Sequence, residues 1–421
     1  MIGVLLQLLA VAGNAPAFTR DVAPILNRHC VECHRAGEVA PFPLSTYREA
    51  APRAKLIAKV TATGFMPPWK PVHGYAAFAG ERRLTPGQIA TLQQWAAAGA
   101  PEGDPKDLPA PPVFKSDWRL GEPDVAIEMP KPYEVPAEGN DVYRCFVLPL
   151  NMTEDRWVRA VDFQPSNRKV VHHALFFTTA RPIEGDYECF GTPGFLPSST
   201  LGGWSPGNAP LTLPENTAMR VPKGSRLVAQ IHFHPTGKME MERSRIGLYF
   251  AMKPPTRHIA DVGLFSNRID IPPGATAYKV RDRFELPVNV QAVGIIPHAH
   301  LICRDVKGWA VLPNGRKRWL LWIRDWDFDW QDRYWYATPI ALPAGTRVEM
   351  EFTYDNSAAN PRNPNRPPKR VEWGASSTDE MAGLHIQVIP DREEDLPELG
   401  RALWGKVMRM VGGKFYNPPA R

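Results

Sequence analysis

A chain of 421 residues can hold about two to four domains with real cores, and its 45 prolines and 32 glycines exclude a mainly helical protein in favour of short strands joined by turns. The formal charge of +6 comes from dispersed Lys and Arg. The densest basic cluster, Arg362 to Arg370, lies inside an Asn/Pro loop, which excludes a nucleic-acid groove.

Met1 to Ala17 reads as a secretory signal, apolar from Ile2 to Ala12 apart from Gly3 and Gln7, with Ala15-Pro16-Ala17 as a small-X-small cleavage site. That run is too short to span a bilayer and no later segment approaches that length, so a periplasmic or secreted chain without a membrane span is expected.

Residues 18–112 form the next segment. Cys30-Val31-Glu32-Cys33-His34 has the spacing of a c-type haem attachment, in which the two thiols add to the haem vinyls and the histidine ligates iron. Three helical patterns surround it. Val22, Ile25 and Leu26 precede the motif at helical spacing, and Tyr47 to Val60 reads as a second helix. Thr85-Pro86-Gly87-Gln88 opens a third with an N-cap, an N1 proline and a capping-box glutamine, followed by Ile89, Leu92 and Trp95 and closed by Gly99. The segment resembles a small class I cytochrome c, which implies a distal methionine after the second helix. Met66, in Gly64-Phe65-Met66-Pro67-Pro68-Trp69, fits that place, while His29 and His73 are expected at the surface or beside the haem propionates.

After a Pro/Asp/Gly-rich linker, Pro101 to Pro112, helical periodicity nearly disappears. Runs rich in Val, Phe, Ile and Trp predict strands at 157–163, 170–178, 226–233, 245–251, 288–296, 310–312, 319–323 and 347–354, the pattern of antiparallel sandwiches or jelly rolls. Pro222-Lys223-Gly224-Ser225-Arg226-Leu227-Val228 is echoed by Pro343-Ala344-Gly345-Thr346-Arg347-Val348, each after a histidine pair. The expected fold is therefore mostly β: two tandem jelly-roll-like sandwiches, 113–257 and 258–421, behind a small all-α domain. From Asp391 an acidic start leads to a helical stripe of Leu396, Leu399, Leu403, Val407 and Met410, expected to pack on the second sandwich.

Six of the eleven histidines lie in three pairs within apolar runs: His172-His173, His232-Phe233-His234 and His298-Ala299-His300. His298 and His300 share one face of a strand and make a metal half-site. Adjacent His172 and His173 reach one metal only if their strand bends or bulges, and His232 is then the best third ligand. For His298 and His300 the candidate partners are Met350, Met381, His385 and Cys303. Three histidines alone also suit a hydrolytic zinc site. His234 reads as a group that orients a ligand, and His258 and His385 as structural, His385 with a place along the cleft.

His172-His173, Gln230-Ile231-His232, His298-Ala299-His300 and Ser377-Thr378-Asp379-Glu380-Met381 occur in the order, and with spacings similar to those, of the copper type II, ascorbate-dependent monooxygenases. The likeness runs from about Trp118 to Pro390. It implies two copper ions per chain, one held by His172, His173 and His232 and storing electrons, the other held by His298, His300 and Met381, where O2 and a small organic substrate react. It also pairs Cys145 with Cys189, leaving Cys303 free. In the peptide-amidating branch an Arg two residues before the His-X-His pair, and Asn and Tyr two and four residues after the methionine, bind the substrate carboxylate. Here Ile296, Gly383 and His385 stand at those places, so a peptidylglycine substrate is not expected and a less anionic one is. The attached haem c implies electrons from a periplasmic donor. The alternative is a non-catalytic periplasmic copper-binding or electron-transfer protein.

Overall fold

The computed structural model describes residues 15–36, 38, 40–114, 118–139, 141–189, 193–195, 197–205, 210–374 and 376–410; most of the expected signal segment lies outside them. The chain divides into two compact units, Met1–Trp69 with Glu81–Phe114, and Lys70–Gly80 with Lys115–Arg421.

The first unit holds helices Ala23–His29, Tyr47–Ala50, Ala54–Ala62 and Pro86–Ala97. Their apolar faces bury Val22, Leu26, Leu92 and Trp95 in one core, and burial of each such side chain contributes roughly 1.5–3 kcal/mol. The pattern read as one helix from Tyr47 to Val60 is interrupted by a 3-10 turn at Ala51–Arg53. Pro52 lacks the N–H that the helical ladder needs there. Thr85 and Gln88 form the reciprocal capping box that their spacing predicts, and Thr46 with Glu49 forms a second.

The second unit is mostly β, with several sheets. In its first half, Val125–Glu128, Arg245–Phe250 and Arg156–Gln164 lie side by side, and Leu211–Thr212 and Met219–Val221 both pair with the last of them. The other sheet of this half runs Asp186–Glu188, Val142–Pro149, Arg226–Phe233, Val171–Thr179, Ser199–Trp204. In the second half, one sheet runs Ala260–Phe265, Ala382–Pro390, Val290–Ala299, Tyr334–Leu342, and the other Tyr278–Glu285, Arg347–Tyr354, Cys303–Val311, Lys317–Ile323. Residues 70–80 pack on this half: Val72 N donates to Trp322 O at 2.7 Å and Ala79 N to Trp335 O at 2.8 Å.

Central strands are covered on both faces, which explains their unbroken apolar runs. Leu227, Ala229 and Ile231 of Arg226–Phe233 join the main core of the first half, while Val228 packs on Cys145, Phe177 and Cys189. Cys145 and Cys189 form a disulfide.

The echoed turns have the same local form. Gly224 and Gly345 adopt φ of 71° and 78°, which glycine tolerates without a Cβ penalty, and each turn feeds a strand. The echo ends there. Arg226–Phe233 belongs to the histidine-bearing sheet of its half, whereas Arg347–Tyr354 belongs to the sheet that does not carry His298 and His300.

Helix Leu396–Met410 docks on the second half through buried Leu399 and through Lys406, whose Nζ donates to Gly263 O at 3.2 Å and to Asp282. Among the described residues, no helix is long and apolar enough to cross a membrane.

Candidate metal centres and cavity

The bulge that the His172-His173 pair demands is present. His232 pairs with His173 and Phe233 with Val171, so His172 is the extra residue in the ladder, and both imidazoles turn to one side. His173 Nδ1 lies 3.3 Å from His172 Nδ1 and 3.2 Å from His232 Nδ1. Such nitrogens repel unless a proton or a cation lies between them. Ligand atoms of the three side chains all fall within 4.8 Å of one another, a spread that fits one metal ion.

Asp141, which the sequence did not single out, fixes the protonation of this cluster. One carboxylate oxygen lies 3.0 Å from His232 Nε2 and the other 2.7 Å from His234 Nδ1. Burial pushes the Asp141 carboxyl up, but hydrogen bonds and charge from His232 and His234 outweigh it and hold it at about 2. The carboxylate's charge favours the proton on His232 Nε2, 3.0 Å away although without hydrogen-bond geometry, and leaves Nδ1 as the lone-pair donor. His234 is half of this orienting pair. Burial, with the neighbouring imidazoles, keeps His173 well below its usual pKa and lowers that of His232, so both rings are neutral donors. His172 Nε2 is buried without a hydrogen-bond partner, and its ring lies face to face with Phe328.

The second set stands on strand Val290–Ala299 and just beyond it. Gly294, Ile296 and His298 alternate onto the face where His385 and Gln387 of the paired strand Ala382–Pro390 also lie. His298 Nδ1–H donates to Gln331 Oε1 at 2.6 Å, and His300 Nδ1–H to Asp379 O at 3.2 Å. Both rings keep Nε2 as the free donor. Burial lowers the pKa of His298 to about 4 and, with the charge of His298, that of His300 to about 3. Glu380, fully buried, accepts backbone N–H groups from His300 (2.9 Å), Ile302 (2.8 Å) and Met381 (3.2 Å). Tyr354 Oη donates to Met381 O at 2.7 Å, so the methionine backbone is held at both ends. Of the other candidate partners, Met350 and Cys303 are buried in strands of the opposite sheet, and burial pushes the Cys303 thiol far up.

One cavity of about 820 Å³ joins the two sets, with His173 on one wall and His298, His300 and Met381 on another. Its floor and roof are the histidine-bearing sheets of the two halves, and the loop that ends in Phe328, Gln331 and Arg333 closes one side. His385 lines it too, paired with Asp261 at 3.1 Å, whose charge raises the histidine's pKa.

In the first unit, Cys30, Cys33 and His34 follow helix Ala23–His29 directly. His34 Nδ1–H donates to Phe42 O at 3.0 Å, which leaves the lone pair on Nε2, and burial lowers its pKa. Met66 follows helix Ala54–Ala62, half-buried, its N donating to Val60 O at 3.1 Å. His29 Nε2 sits 3.1 Å from Gln88 Nε2.

No known family model matches the sequence, and no curated protein matches it. Solved structures with some likeness include viral capsid proteins. The major capsid protein P2 from bacteriophage PM2 overlaps 63% of this chain and 97% of its own at 10% identity with a TM-score of 0.27. The infectious bursal disease virus VP2 subviral particle overlaps 68% of this chain and 75% of its own at 8% identity with a TM-score of 0.19. Likeness at that level carries no argument about this chain.

Proposed function

We propose that the chain is an exported copper-dependent monooxygenase that hydroxylates an organic substrate with O2, its electrons arriving through a covalently attached haem c. The observation that carries this reading is the convergence of three histidine Nδ1 atoms on a strand bulge, sharing one cavity with His298, His300 and Met381. His172, His173 and His232 would hold one copper and His298, His300 and Met381 the other; Cys30, Cys33, His34 and Met66 would hold the haem. In that mixed imidazole and thioether set, copper would supply one-electron redox chemistry and a site for O2.

The protein's own groups prepare this chemistry. Asp141, Gln331 and the Asp379 carbonyl fix which ring nitrogen carries the proton, and burial keeps the imidazoles neutral. Glu380 ties the His300 and Met381 backbones to one carboxylate. Apolar side chains make up most of the cavity wall. A buried disulfide and a haem-attachment motif both suit an oxidising, exported environment.

The test is metal content with an optical spectrum of protein from a host that matures c-type cytochromes, repeated on Met381→Ala. Two coppers and one haem per chain, with copper lost or its Cu(I) coordination changed in the variant, support the reading. Zinc in place of copper points to hydrolytic chemistry. Copper and haem without substrate-coupled O2 consumption leave an electron-transfer protein.

A further inference from the structure

The cavity is lined mainly by apolar groups, among them Leu175, Phe177, Trp204, Leu211 and Met219, and two arginines reach it: Arg220, which Asp155 pairs at 2.9 Å, and Arg333. Arg333 precedes strand Tyr334–Leu342, its backbone N fixed by Asp332 Oδ1 at 2.8 Å. Its Nε is buried without a hydrogen-bond partner, and among the described residues no carboxylate forms an ion pair with it. The nearest acids are engaged elsewhere: Asp261 holds His385 Nδ1 at 3.1 and 3.2 Å, and Asp332 Oδ1 takes the Arg333 amide.

The surroundings leave the guanidinium's fork open to the cavity. It lies over the Trp335 ring at 5.6 Å and against Gly202, where an added Cβ would sit 3.3 and 3.4 Å from its two Nη atoms and 2.5 Å from Leu211 Cδ2. Gly202 has φ of 94°, so bare backbone is required beside the cation. Gln387 Oε1, also on the wall, has no hydrogen-bond partner. Burial lowers the Arg333 pKa to about 10, which leaves it charged at neutral pH. The half-buried guanidinium thus has a buried Nε without a protein acceptor and Nη atoms open to the cavity, and a planar anion would pair with that fork in a bidentate manner.

We propose that Arg333 anchors the carboxylate of an organic acid whose apolar body extends through the cavity toward His298, His300 and Met381. This rests on the reading of the cavity as the substrate site. The absence of an arginine two residues before His298 suggested a less anionic substrate; the charge comes instead from the loop before Tyr334. A cavity of about 820 Å³ accepts a molecule with a medium-length chain or an aromatic ring.

Calorimetric titration of the full-length protein with octanoate, octanol and octylamine, with and without bound copper, tests this. Octanoate is expected to bind tightest, and Arg333→Gln to weaken it by about 10- to 100-fold while changing octanol binding by less than about threefold. Arg333→Lys, which keeps the charge without the fork, should lie between. Equal or tighter binding of octylamine or octanol, unchanged octanoate affinity in Arg333→Gln, or no binding of octanoate at millimolar concentration overturns the assignment. The ranking of the three probes on the unaltered chain decides the matter even where a variant fails to fold. A preference for octanoate in protein that takes up no copper would sink the oxygenase reading and leave the carboxylate site standing. Copper without that preference would do the reverse.

Discussion

Phe328 lies face to face with His172, ring centroids 4.7 Å apart and planes 20° apart, and presents its edge to His300 at 5.8 Å. A side chain from the second half thus orients a histidine of the first. Aromatic contacts of this kind contribute about 0.5–1.5 kcal/mol each beyond burial. Phe328→Ala should cost about 1–3 kcal/mol in denaturant unfolding and weaken metal binding at His172, His173 and His232. Titration against a competing chelator reads the second effect, and unchanged affinity would remove Phe328 from the site.

Asp141→Asn should weaken metal binding at the same cluster by about 10- to 100-fold, because the amide no longer fixes the Nε2 proton of His232. Binding at His298, His300 and Met381 should hold. An equal loss at both sets would show a general folding defect instead.

Glu380→Ala strands three backbone N–H groups and should destabilise the chain by about 3–5 kcal/mol, with Glu380→Gln costing roughly 1–3 kcal/mol. Equilibrium unfolding of the two variants measures this directly. A cost near zero for Glu380→Ala would mean that the amides find water.

Asp261 raises the pKa of His385, with Arg333 opposing. The folded state therefore binds the His385 proton more tightly than the unfolded chain, whose histidine titrates near about 6.5. The stability from this pair is fully present below that pH and is lost as pH rises through the higher folded value. Both side chains are about half exposed, so the gain stays under about 1 kcal/mol. His385→Asn should flatten the stability profile above about pH 6.5; an identical slope in the variant would exclude the pair as its source.

Replacing Cys145 and Cys189 by Ala should destabilise the chain by roughly 3–4 kcal/mol, since the bridge closes a loop between residues 44 apart. Thermal unfolding of the double variant, with the unaltered protein under reduction as control, checks it.

The strands and the histidine bulge were legible because both follow from spacing. Runs of Val, Ile and Phe mark covered strands, and two adjacent histidines on one metal require a bulge. Residues that hold the ligands in place were not. Asp141, Phe328, Gln331 and Arg333 sit in or beside loops without periodicity, and the chain fold alone brings them to the cavity. Glu380 stood inside a recognised motif, yet nothing in its neighbours announces that its carboxylate would collect amides from residues 78 and 80 positions away. Pro52 was the one readable signal against a continuous second helix.

The loop from 324 to 333 belongs in sequence to the second half and in space to both. A chimaera joined at the residues between the halves, 251–259, would therefore pair His172 with a foreign aromatic wall and a foreign cation. Recombination that preserves the site must move the loop together with the first half, so the natural seam for exchange does not coincide with the boundary that the strand order suggests.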